Sequence, residues 1–432
     1  MSYKKTQFGT IPNHWEVKSL ADIGIIKGRI GWRGYTVDDI KESGPYVLGA
    51  GDITTDNKVD LSKAKHLSVE KYEESPEIML EKGDTLIVKV GSTIGKVGFF
   101  NFDNTQATIN PNSVLFRTIT AHPAFVYYYL CTRFANNFLI SNSPASAQPA
   151  INQSTIKQMP VIVPPLNEQK AIANILSSLD DKIELNNKIN KNLEELAQTL
   201  YKHWFVDFEF PNEEGLPYKS SGGKMIESEQ GLIPEGWNIE PLGNSKISKL
   251  VTSGINEFNN EKIYLATADV TDTTITNRNT TITMKDKPSR ANMQPRENTL
   301  WFAKMKNSRK LIRVSKNSTE LISDYIFSTG FAGLYVKEYL NFVWTFLLTS
   351  SFDENKNGLA SGTTQEEINN RNINKINLIV PKDRILNKFE EIFNDIYEKI
   401  EQNDNENQKL ANLRDLLLPK LMSGEIRVPI KE

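Results

Sequence analysis

Basic and hydroxyl side chains beside glycine turns are the residues of this sequence best suited to hold an anion or a nucleic acid. Arginine and lysine neutralise phosphates or bond to guanine edges, and hydroxyl groups bond to phosphate oxygens. A glycine loop, Gly91 to Gly95, has a lysine on either side of it. In the first half of the chain we therefore predict contacts to DNA from Lys27, Arg29, Arg33, Lys89, Ser92, Thr93 and Lys96.

The second half of the chain contains a denser basic stretch. Seven basic residues and one acid, Glu297, lie between Arg296 and Lys316. Like charges packed this closely repel unless an anion lies nearby. Because any single basic residue is more readily explained by a solvated face, the cluster as a whole supports the prediction. Its candidate contacts are Lys304, Lys306, Arg309, Lys310 and Arg313.

Sequence motifs of catalysis are missing. The chain has no G-x-x-x-x-G-K-[ST] phosphate loop, no H-E-x-x-H and no G-x-S-x-G. The segment 110–113 (Asn-Pro-Asn-Ser) only partly matches the catalytic tetrapeptide of adenine methyltransferases, because it lacks the second proline and the aromatic residue. Histidine, cysteine and carboxylate residues have no metal-ligand spacing. We predict no catalytic residue, no metal site and no cofactor bound by this chain.

An internal repeat indicates which elements position the candidate residues. At an offset of 217 residues, Phe125-Val126 matches Phe342-Val343 and 161–164 matches 378–381. Near the start of each copy, Trp15 matches Trp237. Two copies of this length predict a duplicated module with pseudo-twofold symmetry.

The front of each copy is typical of a compact α+β domain. Short β-branched runs bounded by glycine and asparagine predict strands at 84–90 and 298–303. The aromatic segments 124–139 and 341–352 predict helices packed on these strands.

The back of each copy predicts a long helix. Prolines at 164–165 and 381 precede a seven-residue repeat of apolar residues over 172–200 and 389–417. A heptad kept this long is typical of a coiled coil. An amphipathic helix lying on a globular core is the alternative.

Four asparagines interrupt the heptads and favour an antiparallel pair of helices. Asn186 and Asn190 in one helix correspond to Asn403 and Asn407 in the other. Antiparallel pairing aligns Asn186 with Asn407 and Asn190 with Asn403, so that each amide meets another polar group. The same register sets Leu179 against Arg414, whose guanidinium we expect to reach solvent.

Bulk composition limits the class of protein. A chain of 432 residues predicts several domains, and a net charge of −2 excludes binding to DNA through overall charge. The lone Cys131, a polar start without a signal peptide and the absence of a run near 20 apolar residues predict a cytoplasmic protein without membrane contact.

Four motifs, one of them present twice, resemble the specificity subunits of type I restriction–modification systems. These motifs are Pro164-Pro-Leu-Asn-Glu-Gln-Lys-Ala-Ile172, the Ile-Pro-x-x-Trp openings at Ile11 and Ile233, Tyr218-Lys-Ser-Ser-Gly-Gly-Lys-Met225, and Leu416-Leu-Leu-Pro-Lys-Leu-Met-Ser-Gly-Glu-Ile426. The second copy departs from the pattern at Pro381-Lys-Asp-Arg, where the first has Pro-Pro-Leu-Asn, and it lacks the glycine loop.

The resemblance implies an α+β chain with two α/β target recognition domains, separated by an antiparallel two-helix coiled coil. The domains would be residues 1–158 and 231–375, with helical regions at 159–210 and 376–432 and a flexible linker at 211–230. The implied partners are double-stranded DNA with a bipartite asymmetric site, two methyltransferase (modification) subunits and restriction/translocase subunits. S-adenosylmethionine and ATP would then bind to the partner subunits.

Two other functions stay open from the residues alone. One is a coiled-coil scaffold for proteins only, which predicts no sequence-dependent DNA binding. The other is a self-sufficient DNA methyltransferase or nuclease, which requires a cofactor loop or an acidic metal cluster.

Overall fold

The protein folds into two compact units, each with its own core, in a computed structural model. The structure describes residues 2–6, 9–31, 34–54, 56–144, 149–362 and 366–429. Unit 1 comprises Met1–Leu185 and Glu406–Glu432, and unit 2 comprises Asn186–Asn405. Both units mix helices and sheets, which confirms the predicted α+β composition.

Unit 1 is built around a four-stranded antiparallel sheet. Its strands are β1 (Tyr3–Thr6), β2 (Gly9–Pro12), β3 (Glu16–Ser19), β4 (Gly24–Gly28), β5 (Ile40–Leu48), β6 (Lys65–Leu67), β7 (Thr85–Val88), β8 (Val97–Phe99), β9 (Ala107–Ile109), β10 (Ser113–Thr118) and β11 (Pro160–Val163). Its helices are α1 (Leu20–Ile23), α2 (Val69–Glu73), α3 (Pro123–Leu130), α4 (Arg133–Ser141), α5 (Gln153–Lys157) and the first part of α6 (Leu166–Tyr201). The main sheet has the order β4-β10-β7-β8, and β6-β5-β9 forms a second sheet in which β5 and β9 are parallel.

Both faces of the main sheet of unit 1 are buried. Side chains alternate along a strand, so Ile87 joins the core beneath the helices while Leu86 and Val88 join the core shared with the second sheet. The predicted strand at 84–90 is β7, and its end leads directly into the candidate glycine loop.

Unit 2 has a main sheet of the order β15-β24-β21-β22. Its strands are β12 (Met225–Ser228), β13 (Gly231–Pro234), β14 (Asn238–Pro241), β15 (Ser248–Leu250), β16 (Lys262–Leu265), β17 (Val270–Thr271), β18 (Thr274–Ile275), β19 (Thr281–Ile282), β20 (Ala291–Met293), β21 (Thr299–Ala303), β22 (Leu311–Val314), β23 (Tyr325–Ser328), β24 (Phe331–Val336) and β25 (Asn377–Val380). Its helices are α7 (Thr319–Asp324), α8 (Leu340–Leu347), α9 (Ser350–Gly358), α10 (Asn370–Ile373), the last part of α6 and the first part of α11 (Asp383–Ser423). A second sheet has the order β19-β16-β23-β20, with β16 and β23 parallel.

Each predicted aromatic helix is a pair of short helices. The break falls before α4 and before α9, where Thr132 accepts a hydrogen bond from the Ala135 N–H and Thr349 accepts one from the Phe352 N–H. A threonine at the N-cap satisfies a backbone donor that the helix start leaves unpaired, and so favours a new helix at that residue.

Three predicted regions contain strands, namely the two helical regions and the linker. Residues 160–163 pair with β3 and residues 377–380 pair with β14, so the start of each predicted helical region forms a two-stranded sheet with a strand of the globular part. The predicted linker 211–230 includes β12, and Tyr218 before it stacks on Phe210 with ring centroids 4.5 Å apart. The segment predicted to be a flexible linker thus contains turns, a strand and a stacked aromatic pair.

Long helices follow the prolines, as predicted. Helix α6 has 36 residues and begins after Pro164-Pro165, and helix α11 has 41 residues and begins after Pro381. Proline suits these places because the start of a helix needs no N–H from it. No helix in the described ranges is long and apolar enough to span a membrane.

The expectation that Arg414 reaches solvent is wrong. In unit 1 its Nη1 donates to Asp180 Oδ1 at 2.8 Å, and its side chain is only 17% exposed. Tyr128 donates its hydroxyl to the other oxygen of the same carboxylate at 2.7 Å. Asp180, the residue after the seam position Leu179, thus pairs with the arginine side chain and keeps it buried.

Candidate nucleic-acid interface

The glycine loop of unit 1 forms a tight turn between β7 and β8. Gly91 has φ +97° and Gly95 has φ +87°, a region that residues with a Cβ rarely adopt. A Cβ on Gly95 would also lie 2.8 Å from Nδ2 of Asn136, the group that donates to the Gly95 carbonyl. The turn leaves Ser92 and Thr93 exposed at its tip. Their hydroxyl groups can therefore reach a ligand outside the protein.

Lys96 is a structural lysine. Its Nζ donates to the Ala50 carbonyl at 3.2 Å and to the Ile53 carbonyl. These contacts hold the C-terminal end of the glycine loop against the 3₁₀ turn at Ala50–Asp52. The ammonium group is thus engaged within unit 1, and its predicted role in binding DNA becomes a positioning role.

Arg29 is buried. It is 5% exposed, its Nε donates to the Ile109 carbonyl at 3.2 Å, and its Nη2 donates to Thr108 Oγ1 at 3.1 Å. The guanidinium lies 5.6 Å from the ring centroid of Tyr35, and burial lowers the pKa of Arg29. This residue supports the fold of unit 1 and does not present its charge to solvent, contrary to the prediction.

The other basic candidates of unit 1 differ in exposure. Lys27 is exposed on β4, and Lys89 is half-buried at the end of β7. Arg33 lies outside the described residues. Lys27, Lys89, Ser92 and Thr93 are thus the candidates of unit 1 that the structure leaves open to a ligand.

The basic segment of unit 2 occupies the place that the glycine loop has in unit 1. The Ile151 N–H donates to the Lys89 carbonyl at 2.9 Å, and the Ile368 N–H donates to the Lys304 carbonyl at 2.9 Å. At the other end of the loop, Lys310 Nζ donates to the Thr267 carbonyl at 2.6 Å. Thr267 begins a 3₁₀ turn, Thr267–Asp269, as Ala50 does in unit 1. Lys89 and Lys304 are therefore equivalent, and so are Lys96 and Lys310.

Acidic residues of the same unit neutralise much of this basic segment. Lys306 Nζ lies 2.6 Å from a Glu366 oxygen, and Lys304 Nζ lies 4.0 Å from a Glu367 oxygen. Arg309 pairs with Asp353 and donates to the Leu348 carbonyl at 2.7 Å. The inference that these charges require an external anion is therefore wrong. Carboxylates 44 to 63 positions further along the chain supply part of the compensation.

Arg313 connects the main sheet of unit 2 with α11. It pairs with Glu401, donates to Asn341 Oδ1 at 2.8 Å and lies 5.1 Å from the ring centroid of Tyr397. Its side chain is 12% exposed. We therefore assign Arg313 a structural role in place of the predicted contact to DNA.

Sequence reasoning missed the acidic partners because they are distant along the chain. The internal repeat carries one usable signal: Glu367 falls at the position of Ala150, beside the loop. An acid that appears in one copy only, next to a lysine of that copy, indicates a compensating pair. The described residues contain no group of three or more histidine, cysteine or carboxylate side chains arranged to hold a metal ion.

The asparagines of the long helices include one direct pair. In unit 2, Asn403 Nδ2 donates to Asn190 Oδ1 at 2.7 Å, and Asn190 Nδ2 donates to Asp404 Oδ1 at 2.8 Å. Asn186 is fully buried, and Asn407 is half-buried in unit 1. The antiparallel register places Asn190 and Asn403 together, and this hydrogen bond joins them.

Comparisons with known proteins point to one family. Residues 12–195 match the family described as "Type I restriction modification DNA specificity domain". The type I restriction enzyme MjaIX specificity subunit of Methanocaldococcus jannaschii is 29% identical over 447 residues, covering 99% of this chain and 96% of that protein. The HindI specificity subunit of Haemophilus influenzae is 22% identical over 481 residues, covering 91% and 99%.

A solved structure supports the fold. The S subunit of a type I restriction–modification system from M. genitalium matches with a TM-score of 0.52 and 15% identity, covering 98% of this chain and 97% of that one. The matched domain, the full-length relatives and this fold agree. Over nearly its whole length, the chain is therefore similar to the specificity subunits of type I restriction–modification systems.

Proposed function

We propose that the chain reads a bipartite, asymmetric DNA sequence with two target recognition domains, residues 1–158 and 231–375, one for each half-site. Members of this family are recognition subunits without catalytic activity. Two methyltransferase subunits that use S-adenosylmethionine, and restriction/translocase subunits that use ATP, therefore supply the chemistry. The complex acts in the cytoplasm, where it has access to DNA.

The proposal rests on the backbone hydrogen bonds that the two candidate loops have in common. The same backbone hydrogen bonds fix both loops, between equivalent lysines and a segment before α5 or α10. The residues within the frame differ, since Ser92 and Thr93 stand in one loop and Lys306 and Asn307 in the other. The same backbone arrangement with different side chains suits two domains that read different bases.

The sheet topology gives further support. The order β4-β10-β7-β8 in unit 1 has its counterpart in β15-β24-β21-β22 in unit 2, and a parallel strand pair recurs in the second sheet of each. A duplicated module accounts for this correspondence together with the repeat in the sequence.

Exposure and pairing narrow the set of residues that contact DNA. We assign DNA contacts to Lys27, Lys89, Ser92, Thr93, Lys304 and Lys306, and positioning roles to Arg29, Lys96, Arg309, Lys310 and Arg313. Exposed ion pairs contribute only about 0–1 kcal/mol, so Lys306, whose side chain is 36% exposed, can exchange its carboxylate for a phosphate at little cost.

The helical regions 159–210 and 376–432 hold the two domains at a set separation. At about 1.5 Å per residue, helices of this length extend roughly 54 to 62 Å, more than one turn of B-DNA. We propose that α6 and α11 form an antiparallel coiled coil whose register depends on Asn186, Asn190, Asn403 and Asn407. The hydrogen bond between Asn190 and Asn403 supports that register.

Exposed apolar residues on the long helices suit the methyltransferase subunits. In unit 1, Leu413 is 43% exposed and Leu416 is 58% exposed, one helical turn apart on α11. Exposed leucines at this spacing mark a surface that a partner helix or sheet can cover. We propose that one methyltransferase subunit covers it.

Mapping of methylated adenines tests the reading of two half-sites. The chain is reconstituted with its methyltransferase subunits, and adenine methylation of genomic DNA is sequenced. We expect Ser92→Ala with Thr93→Ala to relax base choice in one half-site, and Lys306→Gln to relax it in the other. Lys219→Gln, in the exposed segment before β12, is the control and should leave the methylated sequence unchanged.

Two outcomes contradict the proposal. Methylation by the wild-type complex without sequence preference would refute sequence reading by this chain. Equal relaxation of both half-sites by each variant would refute the assignment of one domain to each half-site.

A further inference from the structure

A cleft on unit 2 lies at the opposite end of β21 from the basic loop. Its volume is about 300 Å³, and its lining residues are Lys249, Leu250, Val251, Thr252, Arg296, Thr299 and Tyr335. Two of these side chains are cationic, and none of the lining residues in the described part of unit 2 is acidic.

Strand register explains why these residues share one face of the sheet. Lys249 and Thr299 each stand directly opposite Tyr335, on β15 and β21 respectively. Directly opposed residues of antiparallel strands project to the same side. Tyr335 is 43% exposed, and Arg296 is exposed at the edge of the row.

The turn before β21 fixes the position of Arg296. Thr299 Oγ1 donates to the Arg296 carbonyl at 2.6 Å and accepts from the Trp301 indole N–H at 2.9 Å. The guanidinium has no carboxylate within 4.0 Å among the described residues, and the same holds for Lys249 Nζ. Two cations in one cleft without an acid repel each other, and an anion relieves that repulsion.

The equivalent place in unit 1 is neutralised from within. There Arg117 stands at the position of Tyr335, and it donates to Asp84 at 2.7 and 2.9 Å and pairs with Glu81 at 2.7 Å. Asp84 accepts from the Glu81 N–H as Thr299 accepts from the Arg296 N–H. Acids in unit 1 thus occupy the positions of Thr299 and Arg296, so of these two equivalent places, as far as the described residues go, the one in unit 2 carries the uncompensated charge.

We propose that the cleft formed by Lys249, Arg296 and Thr252 binds one phosphate of the DNA backbone, as a second contact of the target recognition domain at 231–375. The inference rests on the proposed function. The two cations neutralise the phosphate, and the Thr252 hydroxyl donates to one of its oxygens. This contact fixes the position of the domain on DNA and does not select bases, and the described residues of unit 1 form no counterpart of it.

The salt dependence of DNA binding tests this site. The reconstituted complex is titrated into fluorescent duplexes with the cognate and a scrambled sequence, at several salt concentrations. For Lys249→Gln with Arg296→Gln we expect the slope of log K against log salt to fall by about 1, with an affinity loss of about tenfold for both duplexes. Thr252→Asp, which adds a carboxylate to the cleft while keeping both cations, should have the same effect.

A control distinguishes loss of the cleft contact from a general loss of positive charge on unit 2. Lys219→Gln with Lys285→Gln removes two exposed positive charges from the same unit and should leave the slope unchanged. An equal fall in the control would overturn the proposal. So would an unchanged slope in the cleft variants while the wild type still prefers the cognate duplex.

A second titration distinguishes a backbone phosphate from free phosphate. Inorganic phosphate is added to the wild-type chain and to the cleft variant, and binding is followed by calorimetry. Binding of inorganic phosphate that the variant abolishes, with no change in the DNA salt slope, would also overturn the proposal. If the wild-type complex shows no preference for the cognate duplex, the proposed function fails independently of the cleft.

Discussion

Asn403 donates a hydrogen bond to Asn190 between the two long helices of unit 2, at 2.7 Å. Asn403 is 1% exposed and Asn190 is 8% exposed. A buried amide costs free energy unless it is paired, so the contact is favourable in one register and unfavourable in its neighbours. The pair therefore contributes specificity of alignment more than stability.

Replacing one asparagine of this pair should destabilise unit 2. We expect Asn190→Leu to lower the free energy of unfolding by about 1–3 kcal/mol, because it leaves the Asn403 amide buried without that partner. The double variant Asn190→Leu with Asn403→Leu should be more stable than either single variant. Urea unfolding of all three provides the double-mutant cycle.

Asn405→Leu is the matched control for this cycle. Asn405 is exposed on the same helix, so its replacement should change stability by less than about 0.5 kcal/mol. Additive effects of the two single variants would contradict a coupled pair.

Removal of Arg414 should destabilise unit 1 through Asp180. That carboxylate has a side chain 10% exposed and accepts hydrogen bonds from Arg414 and Tyr128. Arg414→Leu leaves a buried charge without its cation, and we expect a loss of about 3–5 kcal/mol. Tyr128→Phe should cost about 1 kcal/mol, because it removes a single hydrogen bond. Thermal unfolding followed by circular dichroism measures both changes.

The pairing with Asp180 can be isolated by a second substitution. Asp180→Asn combined with Arg414→Leu should recover much of the stability that Arg414→Leu loses. If the double variant is as unstable as Arg414→Leu, the loss comes from packing of the arginine stem.

Unit 2 should lose stability as the pH rises because of Glu390. This side chain accepts from the Phe342 N–H at 2.8 Å and the Asn341 N–H at 3.3 Å, at the start of α8. Burial raises the pKa of Glu390 to about 7, despite these bonds and the nearby Arg313. The folded state therefore binds a proton that the unfolded state releases near its ordinary pKa.

The direction of the pH dependence of stability follows from this difference in pKa. The stability that protonated Glu390 contributes to the folded state is fully present below the unfolded pKa of about 4.5. This stability is lost as the pH rises through about 7. Between these limits we expect Glu390 to lower the free energy of unfolding by about 1–3 kcal/mol. Urea unfolding from pH 5 to 8 should show a shallower pH dependence for Glu390→Gln than for the wild type. An identical dependence in the two proteins would show that Glu390 does not titrate in this range.

Patterns along the chain predicted elements well and the partners of charged groups poorly. The heptads and the prolines at 164–165 and 381 predicted the long helices, and β-branched runs bounded by glycine and asparagine predicted the strands at 84–90 and 298–303, because these patterns are local. The burial of Arg29 depends on the carbonyl of Ile109, and the pairing of Arg313 depends on Glu401. Such contacts join residues about 80 positions apart and exist only once the sheets are assembled.

The equivalent lysines of the two loops should each affect one half-site. Lys96 and Lys310 hold their loops to a 3₁₀ turn through backbone carbonyls, so methionine at either position keeps the apolar stem and removes the donors. We expect Lys96→Met to weaken DNA binding by the reconstituted complex about tenfold and to relax base choice in the half-site that unit 1 reads. Lys310→Met should do the same for the other half-site. Arginine at each position keeps donors to the carbonyls and should restore part of the affinity. If these lysines instead contacted phosphate alone, their replacement would relax base choice in neither half-site. A loss of affinity equal for cognate and scrambled duplexes would therefore show that these lysines act directly on the DNA backbone and do not position the loops.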